Sequence, residues 1–271
     1  MTYLRIVVAF LGLCWALQGQ AMPLYFQPIV VCDDAGANCA STTPGLFAAE
    51  TNKIWSQAGI DIQFLDAVQL NETDYLNVVI DGHPGSVADP TLASFFDLRA
   101  AGRDQVNDWD DTGIINLFIA PYLNEYEPNP GVFGKYGWAC GGGNATPACT
   151  TSPAVFVAQS IFLEDRRDTI AHEIGHVLGL FHTNLDADVP GIPSDNLMTA
   201  GGDGRLPPSS LGDIYPDGAG LSKLAPSQIA TASQSEYLFK EVILPSPAPA
   251  PSSLALLLLG MLVLRWRNSR G

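Results

Sequence analysis

The feature that most constrains this chain is where its histidines fall. The sequence has four, and three lie in the stretch His172-Glu173-Ile174-Gly175-His176-Val177-Leu178-Gly179-Leu180-Phe181-His182, a pattern H-E-x-x-H-x-x-G-x-x-H. His172 and His176 are four residues apart, so on a helix they stack on one face about one turn apart and can reach a single ion. Glu173 follows the first ligand, where it can face the open side of a metal. Gly179 can take positive φ, which lets the helix stop and the chain turn. That turn returns His182 as a third nitrogen ligand. Three protein nitrogens and one open position make the catalytic form of a tetrahedral zinc site, not the closed structural form. A metal-free core helix has no reason to carry three titratable rings.

The surroundings of that stretch set its context. The acidic residues all lie between Met22 and Pro251, while Arg5, Arg265, Arg267 and Arg270 lie outside. The middle therefore carries 28 acidic against 9 basic residues, a net −19. Such a surface repels nucleic acid and anionic membrane, which excludes both as expected partners. Arg5, the apolar run Ile6 to Leu17 and the small-x-small site Gly19-Gln20-Ala21 read as a secretory signal over residues 1–21, cleaved after Ala21. Export leaves Cys32, Cys39, Cys140 and Cys149, an even number that permits three pairings. Pairing Cys32 with Cys39 and Cys140 with Cys149 closes two short loops and is the pairing expected here. Spacings of seven and nine residues do not match a zinc knuckle.

Residues 22–244 read as one domain, divided by composition at His182 into an upper part (22–182) and a lower part (183–244). In the upper part, Leu24 to Val31 suggests a strand, and Pro44 and Gly45 open a helix through Gln57 that stops at Ala58-Gly59. Ile60, Ile62 and Phe64 alternate with polar residues as a half-buried strand. Tyr75 to Ile80 is a shorter strand candidate, and His83 follows in a loop. Thr91 to Val106 predicts a helix. Asp108, Asp110 and Asp111 read first as a solvated turn, with a calcium site as the alternative. The continuous apolar run Ile114 to Ala120 is a buried strand. From Pro121 to Pro153 the chain is long and irregular, with an edge-strand candidate in Gly131 to Ala139. Ala154 to Val157 is another short strand, and Asp165 or Asp168 can cap the zinc helix. In the lower part, Asn196-Leu197-Met198 stands as an apolar island among Gly, Pro, Asp and Ser. A last helix is expected over Gln228 to Leu238, with Ser227 as its cap.

The tail, residues 245–271, begins with alternating prolines at 245, 247, 249 and 251. The apolar run Leu254 to Leu264 and Arg265-Trp266-Arg267 follow. As a helix that run spans only ~17 Å against a hydrocarbon core of about 30 Å. This tail resembles the bacterial PEP-CTERM sorting signal, although Pro245-Ser246-Pro247 lacks the glutamate. The resemblance implies recognition by an exosortase-type machinery, a Gram-negative source and export to the cell surface or extracellular matrix. Any contact with membrane would run through this tail alone.

The zinc stretch with Met198 resembles the metzincin clan of zinc endopeptidases, in which the long motif precedes a turn with a methionine beneath the metal. His172, Glu173, His176, Gly179, His182 and Met198 match in order. Gly179-Leu180-Phe181-His182-Thr183 looks most like the pappalysin or cytophagalysin branch, and the matrixins share much of it. The resemblance implies an α+β fold, with a twisted, mixed five-stranded sheet, a backing helix, a zinc-binding helix and a small irregular lower subdomain ending in a helix. It implies Zn²⁺ on His172, His176 and His182, Glu173 as general base, and an extended peptide cleaved along the upper edge strand. The chain departs from the clan in two ways. Met198-Thr199-Ala200 lacks the tyrosine that some branches use as an additional ligand, and neither a cysteine-switch nor an aspartate-switch propeptide is visible. A surface or matrix protein that binds a partner on this fold without turnover is the alternative.

Overall fold

In the computed structural model, the described residues are 21–80, 93–127, 131–141 and 153–244. Residues 1–20 of the signal candidate, His83, Cys149 and the tail from 245 onward lie outside. The apolar and alternating runs form strands β1 (Met22–Cys32), β2 (Ile60–Phe64), β3 (Val68–Asn71), β4 (Asn77–Ile80) and β5 (Ala93–Ser94). After these come β6 (Ile115–Ala120), β7 (Tyr122–Glu127), β8 (Gly131–Gly134), β9 (Gly137–Cys140) and β10 (Ala154–Ala158).

The main sheet runs β2-β1-β6-β10-β9, with β3 also paired to β1. Its strands are parallel except β9, which is antiparallel to β10 and forms one edge. The five-strand mixed sheet expected from the resemblance is thus present, in a mixed α/β fold. A second sheet, β5-β4-β7-β8, was not expected. It takes Asn77–Ile80 away from the main sheet, and the single edge strand expected over Gly131 to Ala139 is in fact two strands in two sheets.

Both faces of the main sheet are covered, which is why its central strands read as continuous apolar runs and not as alternation. On one face Leu117, Ile119, Val155 and Val157 pack with Ile54 and Trp55 of the backing helix (Ala48–Trp55) and with Ile170, Ile174 and Val177 of the zinc helix (Thr169–Val177). On the other face Phe118 and Phe156 stack at 5.0 Å, against Phe95 and Leu98 of the helix Phe95–Gln105. That helix begins later than Thr91, at a capping box in which Ser94 and Asp97 satisfy each other's backbone donors.

The backing helix is also shorter than its pattern. Gly45, Leu46 and Phe47 have positive φ, so a 3₁₀ turn precedes it, and left-handed Gly59 follows its final 3₁₀ turn. Asp108 accepts the Asp110 N–H at 3.0 Å and caps a short helix over Trp109–Thr112. The lower part is irregular, as its composition implied, with bridges Asn196↔Lys223 and Ile214↔Leu221. Its helix covers Pro226–Ala232 rather than reaching Leu238, and Ser227 is not its cap. Pro226 occupies the first turn, where a missing N–H costs nothing, and Gln228 Oε1 accepts the Ala225 N–H at 2.9 Å. The Cys32–Cys39 disulfide is formed. Cys140 is disulfide-bonded, while Cys149 lies outside the described residues. No helix among the described residues is long and apolar enough to cross a membrane.

Candidate metal centre

The zinc helix is buried along its whole length, because both the sheet and the lower part pack on it. It ends as the sequence required. Gly179 has φ 94°, and the Leu180 N–H returns to the Gly175 carbonyl at 2.9 Å, which turns the chain towards His182. The result is that His172, His176 and His182 bring ligand atoms within 4.8 Å of one another. His182 Nε2 lies 3.2 Å from His172 Nε2 and 3.2 Å from His176 Nε2. Nitrogens about 2.0–2.1 Å from zinc at tetrahedral angles stand ~3.4 Å apart, so the spacing fits that ion.

The tautomers strengthen the fit. His172 Nδ1 donates to the Leu197 carbonyl at 2.7 Å, and His176 Nδ1 donates to the Leu180 carbonyl at 2.8 Å. A carbonyl can only accept, so both Nε2 atoms carry lone pairs, and both face His182 Nε2. One proton on His182 can answer only one of them, whereas a cation between the three answers all. Burial pushes the His172 imidazole well below its ordinary value, with Arg205 and the neighbouring histidines adding to it. Burial and then His182 bring His176 down to about 3. His182 is lowered too, by burial first and Arg205 second. All three rings are therefore neutral ligands at pH 7. Burial raises Glu173 to about 8, opposed by the Arg205 charge. A dication beside it acts in the same sense as Arg205 and favours the carboxylate.

Met198 is fully buried under the helix. Its Sδ occupies the space a side chain on Gly175 would need, since a Cβ there would come within 2.4 Å. The turn around it is pinned from several sides. Met198 N–H donates to Asn196 Oδ1 at 2.8 Å, Leu197 N–H to the Lys223 carbonyl at 2.9 Å, and Thr183 N–H to the Met198 carbonyl at 3.1 Å.

Asp168 occupies the N-cap position but makes no side-chain cap bond. Its carboxylate, fully buried, instead accepts from Ser222 Oγ at 3.1 Å and faces Arg205 Nε at 3.7 Å, an ion pair beyond hydrogen-bond reach. Arg205 Nη1 donates to the Leu197 carbonyl at 3.1 Å, the same oxygen that orients His172. Arg205 therefore links the start of the histidine-bearing helix to the turn beneath the three histidines.

His172 and His182 open into a cleft of about 320 Å³ whose walls include Glu173, Tyr136, Gly137, Arg166 and Arg205. Gly137 begins the edge strand β9, and a Cβ there would lie 2.5 Å from Glu173 Oε1. The edge strand thus passes directly against the carboxylate. A larger cavity of about 730 Å³ at Trp109, Tyr237 and Lys240 shares no wall with the metal cleft and holds none of the histidines. Sequence reasoning brought together His172, Glu173, His176, His182 and Met198. The roles of Gly137, Gly175 and Arg205 were not visible in it, and Asp168 was read only as a candidate helix cap. Each of those acts through a contact distant in sequence, and no local signal marks them.

No protein-family model and no curated protein matches the chain. Two solved structures similar to it are zinc or metal peptidases by description. Metalloproteinase-II from Bacteroides fragilis aligns at 14% identity and TM-score 0.42, over 80% of this chain and 53% of that one. A zinc-dependent peptidase from Methanocorpusculum labreanum aligns at 13% identity and TM-score 0.34, over 76% of this chain and 99% of that one. The chain thus spans about half the length of the first.

Proposed function

We propose that the protein is an exported zinc-dependent endopeptidase, with His172, His176 and His182 as ligands and Glu173 as general base. The observation that carries this reading is the convergence of three lone-pair nitrogens with a buried carboxylate, at a cleft that borders a sheet edge. When bound, zinc polarises a carbonyl and lowers the pKa of water. The chain's own residues do the rest. The Nδ1 bonds to Leu197 and Leu180 fix two rings, and Met198 supports the turn beneath them. An extended peptide lies along β9, where strand addition aligns its backbone. Gly137 leaves room for its carbonyl beside Glu173. Glu173 takes the proton of the attacking water and returns it to the leaving amine nitrogen.

Export rests on residues 1–21 as a signal, and surface or matrix delivery on residues 245–271 as a sorting tail. The terminal masses of the mature protein test both. For the chemistry, the expected results are one zinc per chain and cleavage of members of a broad peptide library. Glu173→Gln should lower kcat by about 10²–10⁴-fold with zinc content unchanged. Zinc-loaded protein that cleaves no peptide in such a library overturns the peptidase reading in favour of a binding role.

A further inference from the structure

The middle of the chain has 9 basic residues, and Lys135, Arg166 and Arg205 among them line the cleft that holds His172 and His182. In a protein of net charge −15 this is a local reversal of sign. Glu173 is the carboxylate in the cleft wall, and Asp203 lies near enough to His182 to raise its pKa. The three cations differ in their surroundings. Arg205 is buried against Asp168 and has its charge answered there. Lys135 stands near enough to His182 to lower its pKa.

Arg166 is set apart by what its neighbours do. Asp165 is engaged by Arg167, at 3.0 and 3.1 Å, and Arg167 also holds Glu50 at 2.6 Å. Glu164 accepts the Tyr136 hydroxyl at 2.6 Å, which raises that phenol against the opposing charge of Arg166. Among the described residues no carboxylate pairs with Arg166. Its Nε is buried without a hydrogen-bond partner. The guanidinium lies over the Tyr136 ring, 3.9 Å from the ring centroid. Gly201, which also lines the cleft, lies close beside the guanidinium, since a Cβ there would be in ordinary contact with Arg166 Nη2 at 3.8 Å, whereas a Cβ on the neighbouring Gly202 would meet nothing within 4 Å. Stacking on an aromatic face fixes the plane of the fork and leaves its in-plane N–H groups for a planar, bidentate acceptor.

We propose that Arg166, held on Tyr136 at the wall of the metal cleft, binds a carboxylate of the peptide substrate. That carboxylate is an Asp or Glu side chain or the C-terminal carboxylate, and the inference rests on the peptidase reading for its substrate class. Clefts lined by one sign of charge focus their field, so this subsite attracts acidic peptides although the rest of the surface repels them.

The test uses the full chain loaded with zinc and matched peptides. One arm compares internal Asp or Glu with Asn or Gln, and the other compares a free C-terminus with its amide. Wild type is expected to prefer the carboxylate form about 10-fold in kcat/KM in one arm, which identifies the source. Arg166→Gln should bring that ratio close to one, Arg166→Lys should leave it intermediate, and Arg166→Glu should turn it towards basic peptides. The wild-type ratio should also shrink as salt is raised. A second readout is peptide binding to zinc-loaded Glu173→Gln protein by fluorescence anisotropy, with and without Arg166→Gln. Zinc content and Tm confirm that each variant is folded. Equal handling of charged and neutral peptides in both arms, or a ratio unmoved by Arg166→Gln, overturns the proposal. If wild type cleaves nothing while carboxylate-dependent binding persists and needs Arg166, the peptidase reading fails and the subsite stands.

Discussion

At the scale of single residues the protein puts opposite burdens on its buried titratable groups. His176 is held down to about 3 and Glu173 up to about 8, each mainly by burial of its charged form. In the metal-free protein these have opposite consequences for stability. A lowered histidine contributes stability that is present above its unfolded pKa and lost as pH falls through the window from about 6.5 to about 3. A raised glutamic acid is the reverse: the folded state holds the proton, so stability falls as pH rises from about 4.5 to about 8. Between about 6.5 and 8 the Glu173 contribution is no longer opposed by the His176 one. Chemical denaturation of metal-free protein across that interval should show stability declining with pH, with a shallower decline in Glu173→Gln. An equal slope in the variant would mean that another group carries it. The convergence of the three histidines was legible in the sequence because their spacing alone puts them together. The effect of Arg205 on them was not, because 22 residues of irregular chain separate it from His182.

At the scale of elements the zinc helix is set by what crosses beneath it. Gly175 and Met198 share one volume, and the methionine sulfur fills what a side chain would need. Gly175→Ala should therefore cost about 1–3 kcal/mol by overpacking, read as a drop in Tm, and should weaken zinc retention as the turn is displaced. The Asp168–Arg205 pair is a second tie, with side chains 0% and 4% exposed. Arg205→Met leaves Asp168 buried without its counter-charge and should cost about 3–5 kcal/mol. Adding Asp168→Asn to Arg205→Met should recover part of that loss. A double variant no better than the single one would show that packing, not charge, sets the cost. The sequence offered Asp165 or Asp168 as a helix cap, and Asp168 holds that position without a side-chain cap bond. The structure turns its carboxylate away from the first turn, towards Ser222 and the buried Arg205. Other elements also start away from the expected residue: Ser94 and Asp97 start their helix by closing a capping box, and Pro226 starts the last helix ahead of Ser227.

At the scale of the whole molecule, the candidate metal centre joins the upper sheet layer to the irregular lower part. His172 and His176 come from the helix, His182 from the chain beyond it, and the Leu197 carbonyl behind His172 from the lower turn. Zinc binding is therefore expected to stabilise both parts as one unit. Zinc at 100 times its Kd should add about 2.7 kcal/mol, and chelation should remove it in a single cooperative transition. Two separated transitions after chelation would show that the lower part melts independently. The motif, the convergence of its three histidines and the buried character of β6 and β10 were determined by the sequence alone, because helical spacing, the turn at Gly179 and continuous apolar runs are local properties of a chain. The second sheet, the Gly137 approach to Glu173, the Arg205 tie and the charge of the cleft were decided only by tertiary structure. Each depends on which distant segments share one volume, and no local pattern encodes that. The stretch from His172 to His182 specified where a metal can sit, and the packing around it decided what lines the path to that metal.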